Sequence, residues 1–370
     1  MTTVELTRIT ADIAEHAAEY DRTGQFPQAG IDIVHQAGLL TASVAGRYGG
    51  REVGSLESAH ILHALGEGDP SVALIAAMTL FTHAAQARTP KWPEELYAQV
   101  LDRSALEPTL LNSARVEPEL GSPARGGLPA TTARKTATGW SLTGTKRFVT
   151  GAHGLSYFLV WARTDETDTR VGTFVVRADS PGITVGNNWN MLGLRASGSV
   201  DVEFLDVDVP ADHVIDLTDA AAGGQDNRAA AQLNTALAAL YLGVGRAAQK
   251  EFHRFAHTRV PANLGKPLAT TDRFRDLAGE IELQLSGAED LLFSVIESDA
   301  EPTRLLGARV LAVRALTDAV GLAVRSIGNP GLSQDNHLQR HFRNVQSAGV
   351  HAPQQDTSIA IIGASALKSS

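Results

Sequence analysis

The sequence predicts an α+β chain in which two helical segments enclose a β segment. Three observations carry that expectation. Apolar residues recur at three- and four-residue spacing toward both ends, the period of one helix face. From Val116 to Gly154 the composition turns to Gly, Pro, Thr and short β-branched runs, the residues of turns and strands. Beyond it, Val200, Val202 and Phe204 alternate with Asp201 and Glu203, the pattern of a half-buried antiparallel strand.

Taken in order, Leu6, Ile9 and Ile13 mark a first helix over Val4–Tyr20, and a second covers Ile31–Leu40 before a loop holding Gly46, Gly49 and Gly50. Helices are expected at Leu56–Leu65, Ser71–Ala87 and Pro93–Asp102, with Ser71 as a capping hydroxyl beside Pro70. Near Thr109 the period switches. Trp140–Leu142 and Phe148–Thr150 flank an expected turn at Gly144, and Tyr157–Ala162 and Thr173–Val176 are compact strand candidates. Helical spacing returns at about Arg228, in helices over Arg228–His257, Thr271–Ser298, Thr303–Ser326, Asn336–Ala348 and Gln354–Ala366. Breaks at Pro261–Pro267 and Gly328–Gly331 suit an antiparallel bundle. The resulting domains are 1–108, 109–222 and 223–370.

At 370 residues with a net charge of −9 and no dense basic run, the chain is long enough for a large core and is no natural partner for nucleic acid or an anionic membrane. The absence of cysteine excludes disulfides, thiolate metal sites and a cysteine nucleophile, and suits a cytoplasmic protein. The longest apolar run, Val72 to Phe81, is about half the ~20 residues that cross a bilayer, and the N-terminus lacks the apolar core of a signal peptide. A soluble, unexported protein is expected.

Several local signatures, in order, carry a resemblance. They are Tyr48-Gly49-Gly50, then Glu117-Pro118 followed by Gly121-Ser122, then Gly144-Thr145-Lys146 before Phe148-Val149-Thr150. Leu192 to Ser197, Asp206 to Pro210, Arg259 with Gly265-Lys266, and the helix of Arg343 complete the set. Spread over the whole chain, they resemble the acyl-CoA dehydrogenase superfamily. The resemblance implies an N-terminal helical domain, a central antiparallel β-barrel domain and a C-terminal four-helix bundle. It implies a flavin between them, FMN or FAD, in a homotetramer or homodimer whose neighbour completes each site.

Flavin recognition needs short donors at strand ends, and Ser122, Thr150 and Gly151 are residues of that kind. Family position puts Thr150 beside flavin N5, although a threonine also ends many strands that bind nothing. Phe148 either shields the flavin face or packs inside the barrel. Arg259 offers a guanidinium fork suited to the flavin phosphate, and it also reads as a solvated arginine at a helix end. Gly328 opens the turn through which the family lets a neighbouring subunit approach, and it equally reads as a plain helix cap. Arg115 and Arg125 flank the Glu117 loop, where they meet a ligand or pair with Glu117 and Glu119.

A dehydrogenase of this family needs a carboxylate to take the α-proton of a thioester. The stretch Gln354-Gln355-Asp356-Thr357-Ser358 puts Gln355 where that base belongs, and an amide is no base at neutral pH. The family's other base position falls near Leu233, with no acidic residue between Arg228 and Lys250. Asp356 substitutes only if the backbone shifts by one position. The C-terminus instead carries His337, His341 and His351, and in this it resembles the family's two-component flavin-dependent monooxygenases, the dibenzothiophene monooxygenase group.

That resemblance implies reduced FMN from a separate flavin reductase, a C4a-(hydro)peroxyflavin, and a small organic substrate. By position His351 and His83 match the group's histidines, and imidazole titrates in the range such chemistry needs. His83 on an apolar helix also reads as an ordinary core histidine. His337 and His341 share a helix face, read as solvated or subunit-facing rather than metal-binding. His153 is a secondary candidate beside the flavin loop. The alternatives are an acyl-CoA dehydrogenase or oxidase with an atypical base, and a non-catalytic protein that keeps the fold.

Overall fold

The computed structural model describes residues 3–120, 127–220 and 227–368. Five helices come first: α1 (Thr3–Thr23), α2 (Gln28–Gln36), α3 (Ser55–Gly68), α4 (Pro70–Arg88) and α5 (Glu94–Ser104). On α1 the buried residues Ile9, Ile13 and Ala17 fall four apart, so one stripe faces the core. Asp69, not Ser71, caps α4: its carboxylate accepts from Ser71 N at 2.8 Å, and Pro70 sits at the position that needs no donor.

Eight strands follow: β1 (Leu110–Ala114), β2 (Thr132–Lys135), β3 (Gly139–Val149), β4 (Leu155–Thr164), β5 (Arg170–Arg177), β6 (Ile183–Val185), β7 (Val200–Pro210) and β8 (Val214–Asp219). They form one sheet in the order β6-β7-β3-β2-β4-β5-β8, with β1 on β4. The sheet is mostly antiparallel, but β1 and β2 both run parallel to β4. The alternation on β7 is as the sequence foretells, with Val200, Val202 and Phe204 buried.

The expected turn at Gly144 is instead part of one continuous strand, β3. Its register against β7 shifts between Leu142 and Gly144 and again between Lys146 and Val149. At φ +156° Gly144 lies against Thr131, and a Cβ there would meet Thr131 Oγ1 at 2.5 Å. The glycine marks a bulge that admits a neighbouring strand, a role glycine shares with turns.

Five helices close the chain: α6 (Asn227–Thr258), α7 (Asp272–Glu297), α8 (Pro302–Ile327), α9 (His337–Val345) and α10 (Gln355–Lys368). The helix α6 binds this bundle to the N-terminal helices. It crosses α3 with glycine at both contact points: a Cβ on Gly66 would meet Leu240 O, and one on Gly243 would meet His63 O, each at 2.1 Å. Only hydrogen side chains allow backbones that near. Among the described residues no helix is long and apolar enough to cross a membrane.

Inside the sheet domain lies a buried ion pair. Glu117 and Lys146 are 2% and 0% exposed, and Lys146 Nζ stands 2.6 Å from Glu117 Oε1. Lys146 also donates to Trp161 O at 2.6 Å, while Glu117 accepts from Ala130 N, Thr131 N and Thr131 Oγ1. The predicted Arg115–Glu117 pairing is thereby displaced, and Arg115 lies over the Trp161 ring at 5.2 Å. Removing one partner strands the other as a buried charge. Glu117→Ala is therefore expected to cost ~3–5 kcal/mol in urea unfolding. The double variant Glu117→Gln/Lys146→Met should cost less than Glu117→Ala alone, because it leaves no charge behind.

Candidate functional site

Where β3 ends, three hydroxyls line up. Thr150 Oγ1 lies 3.0 Å from Ser199 Oγ, which lies 2.9 Å from Ser197 Oγ, and all three residues are buried. Their backbones are locked together. Asn112 Nδ2 on β1 donates to Thr150 O at 2.9 Å, and Gly151 N donates to Ser197 O at 2.8 Å. Three hydroxyls joined by two hydrogen bonds spend two O–H donors, so one remains to point out of the row.

Beside the row is an apolar rim. Phe148 is 50% exposed and meets Trp189 edge-on at 6.4 Å, and Met191 and Leu192 are exposed next to it. Phe148 therefore does not pack inside the sheet domain. Its backbone is left-handed at φ 54°, as is that of Leu194 at φ 51°, and a non-glycine residue in that region stores ~1–3 kcal/mol. Strain on both sides of one hydroxyl row is the kind of outlier that marks a working site. His153 is exposed in the short turn after Gly151, with its Nδ1 toward Gly198.

The C-terminal histidine stands in a second cluster. His351 Nε2 lies 2.5 Å from the Tyr241 hydroxyl of α6. The buried Arg309 of α8 donates to His351 O at 2.8 Å and to Pro353 O at 2.5 Å, fixing the segment before α10. Burial, then the Arg309 charge, push the His351 imidazole down to about 4, and burial raises the Tyr241 phenol. The pair is neutral at pH 7. Gln355 Oε1 accepts weakly from Arg314 Nε at 3.4 Å. Asp356 is exposed, and its carboxylate accepts from Thr357 N at the start of its own helix.

His83 has a similar partner elsewhere. It is fully buried on α4, with Nδ1 2.8 Å from the Tyr97 hydroxyl, and Trp92 and Tyr48 pack edge-on against Tyr97. Burial pushes it down to about 4. Neither His83 nor His351 hydrogen-bonds to Thr150. Arg259 is exposed at the end of α6, and Gly328 caps α8 at φ 72°. Ser122 and Arg125 lie outside the described residues. The solvated reading of His341 gives way, since it is 5% exposed and burial pushes it down to about 3.

Sequence reading did not single out Asn112, Ser199 or Tyr241. A signal existed for the serine, because Ser197 and Ser199 are short hydroxyls on either side of Gly198 just before β7. For Tyr241 and His351, 110 positions apart, no local signal exists.

Helices, a sheet and a helical bundle surround a hydroxyl row with an aromatic rim, and the comparisons place this arrangement among flavin-dependent oxidoreductases. Models of the acyl-CoA dehydrogenase N-terminal, middle and C-terminal domains match residues 7–89, 114–207 and 235–355. The Bacillus subtilis acyl-CoA dehydrogenase-family protein YdbM is 30% identical over 95% of this chain and 92% of its own. The chain belongs to the acyl-CoA dehydrogenase superfamily. KijD3, solved with FMN and a dTDP-linked amino keto sugar, is 26% identical with a TM-score of 0.86, over 99% of this chain and 93% of its own. FMN-bound TdsC of Paenibacillus sp. A11-2, a dibenzothiophene monooxygenase, is 21% identical with a TM-score of 0.86, over 97% and 95% of the two chains. At that identity the likeness speaks for the fold alone.

The buried imidazoles set an acid limit on stability. His83 and His341 have folded values of about 4 and about 3 against 6.5 unfolded, so the unfolded chain binds more protons below 6.5. Stability from each is intact above pH 6.5 and is lost as pH falls toward the folded value, by up to ~3 kcal/mol for His83 and ~5 kcal/mol for His341. The thermal midpoint should fall between pH 6.5 and 4. His83→Gln should flatten that slope.

Proposed function

We propose that this chain is a flavin-dependent monooxygenase that oxidises a small organic substrate with O2, using reduced FMN delivered by a separate reductase. One oxygen atom enters the substrate and the other leaves as water. The observation that carries the reading is the missing carboxylate. Gln355 is an amide, Leu233 is apolar, and Asp356 is exposed and bound to its own helix start.

The hydroxyl row and its rim suit an isoalloxazine, which presents polar edges and flat aromatic faces. Thr150 and Gly151 would meet the ring's polar edge, and Phe148 would cover a face. In the proposed oligomer, a homodimer or homotetramer, Arg259 and the turn at Gly328 would serve the flavin of a neighbouring copy. Leu283 and Leu311, exposed at 71% and 56% on α7 and α8, offer apolar surface for that assembly. Reduced flavin, when bound, supplies the electrons that activate O2. The residues hold and direct a proton: with Tyr241 donating to Nε2, the His351 imidazole carries its proton on Nδ1, available to an oxygen atom or the substrate. We assign His83 a supporting role through Tyr97. KijD3, at 26% identity and solved with FMN, favours FMN over FAD.

A dehydrogenase reading rests on YdbM and requires Asp356 to act as base. The two are separated by one assay. With chemically reduced FMN and air, the protein should consume O2 and oxygenate substrates from a panel of sulfur, phenolic and amino-sugar compounds. Anaerobic bleaching of oxidised bound flavin by acyl-CoAs would instead establish the dehydrogenase. In the oxygenase, His351→Asn is expected to lower kcat about 10²-fold. Thr150→Val should weaken FMN binding about tenfold by fluorescence titration, with folding unchanged by circular dichroism.

A further inference from the structure

A cleft of about 830 Å³ opens between α1, α3, α6 and α9, away from Thr150, His351 and their partners. Its carboxylates are occupied. Glu57 pairs with Arg51 at 2.7 Å, Glu67 with Lys250, and Glu251 with Arg254 at 2.7 Å. Its buried cation is not. Arg340 is 7% exposed, and its Nη1 has no hydrogen-bond partner among the described residues.

The acidic groups that face Arg340 do not spend its donors. Asp21 is held by Arg343, with Nη1 and Nη2 reaching its two oxygens at 3.1 and 2.5 Å. Asp69 accepts from Ser71 N and caps α4. Two imidazole nitrogens at the same cleft, His63 Nε2 and His341 Nδ1, are likewise buried without a partner. Asp69, Asp21 and Glu251 temper the Arg340 charge without a hydrogen bond to it, and three buried nitrogens without partners, all on side chains that line one cavity, mark a place that an acceptor would stabilise. Leu6, Ile61, Ala64 and Ala247 add apolar lining. The volume is that of a small-molecule site.

We propose that this cleft binds a small organic monocarboxylate with an apolar body, its carboxylate on Arg340 and its body against Leu6 and Ala64. Guanidinium matches a carboxylate in two-point contact, and a neutral imidazole can add an N–H without adding charge. The apolar wall selects against bare inorganic anions, which gain nothing from it.

The test uses the full chain and titrates octanoate, benzoate and inorganic phosphate by calorimetry, with and without FMN. Octanoate or benzoate should bind one per chain whether or not FMN is present, and phosphate should neither bind comparably nor displace them. Arg340→Gln should weaken binding at least about tenfold, the loss of one charge-assisted contact. Should that variant fail to fold, Ala14→Trp, at an exposed position of α1 on the cleft, should abolish binding by filling it. No carboxylate binding by the folded wild type, unchanged affinity in Arg340→Gln or in Ala14→Trp, or equal binding of phosphate would each overturn the proposal. A change of oligomeric state in Arg340→Gln without any carboxylate binding would overturn it in favour of a second copy of the chain.

Discussion

The buried pair of Glu117 and Lys146 is the constraint on which the sheet domain depends. Two charges withdrawn from water are tolerated only when their remaining donors and acceptors are filled. Here they are filled by three different stretches of chain: the Ala130–Thr131 segment, β3 itself, and Trp161 on β4. The cost of burial thus becomes positional specificity. Lys146 cannot slide along β3 without losing Trp161 O, and Thr131 cannot leave Glu117 without exposing a carboxylate. Gly144 belongs to the same device, because a side chain there would expel Thr131. Burial pushes Lys146 down and the pairing with Glu117 opposes it, leaving it at about 8. With β3 fixed at Lys146, Thr150 four residues on has one place to be.

The other half of the hydroxyl row is placed from outside the sheet. Leu192 to Ser199 is pinned by the two helical domains. Arg343 donates to Leu192 O at 2.9 Å, Asn344 Oδ1 accepts from Leu194 N at 2.9 Å, and Arg195 donates to Asp21 O at 2.7 Å. Asp21 is itself bound by Arg343, so one carboxylate on α1 and one short helix, α9, hold the segment that carries Ser197. The row can assemble only when all three parts of the chain have docked. This explains how the strained backbone at Leu194 persists, since contacts from two sides over-determine it.

Legibility in the sequence followed the range of the interactions. Helix limits were readable because stripes such as Ile9, Ile13 and Ala17 are local. The strand of Val200, Val202 and Phe204 was readable for the same reason. Gly144 was misread because turn and bulge draw on the same backbone freedom, and what separates them is Thr131, thirteen residues earlier. The cap of α4 was misplaced by two residues because Asp69 and Ser71 are both capping types, and only the fold chooses between them. The parallel contacts of β1 and β2 with β4 leave no period to detect. Of the candidate site, Thr150 and Gly151 were visible as short groups at a strand end. Ser199, Asn112 and Tyr241 were not, for their meaning lies in contacts across 38 to 110 positions.

The two histidine–tyrosine pairs bear on the kind of chemistry this chain can perform. Abstracting a proton from carbon needs a base that stays available near pH 7 and is then stabilised as its conjugate acid. An imidazole pushed down to about 4 by burial, with a guanidinium nearby, is poorly suited to that, because its protonated form is penalised twice. The same penalty makes it a dependable neutral donor. With the tyrosine donating to Nε2, as proposed, its N–H is on Nδ1. With an amide at Gln355, an exposed Asp356 and a neutral His351, this stretch is poorly furnished to draw a proton from carbon, which is the ground on which the oxygenase is proposed.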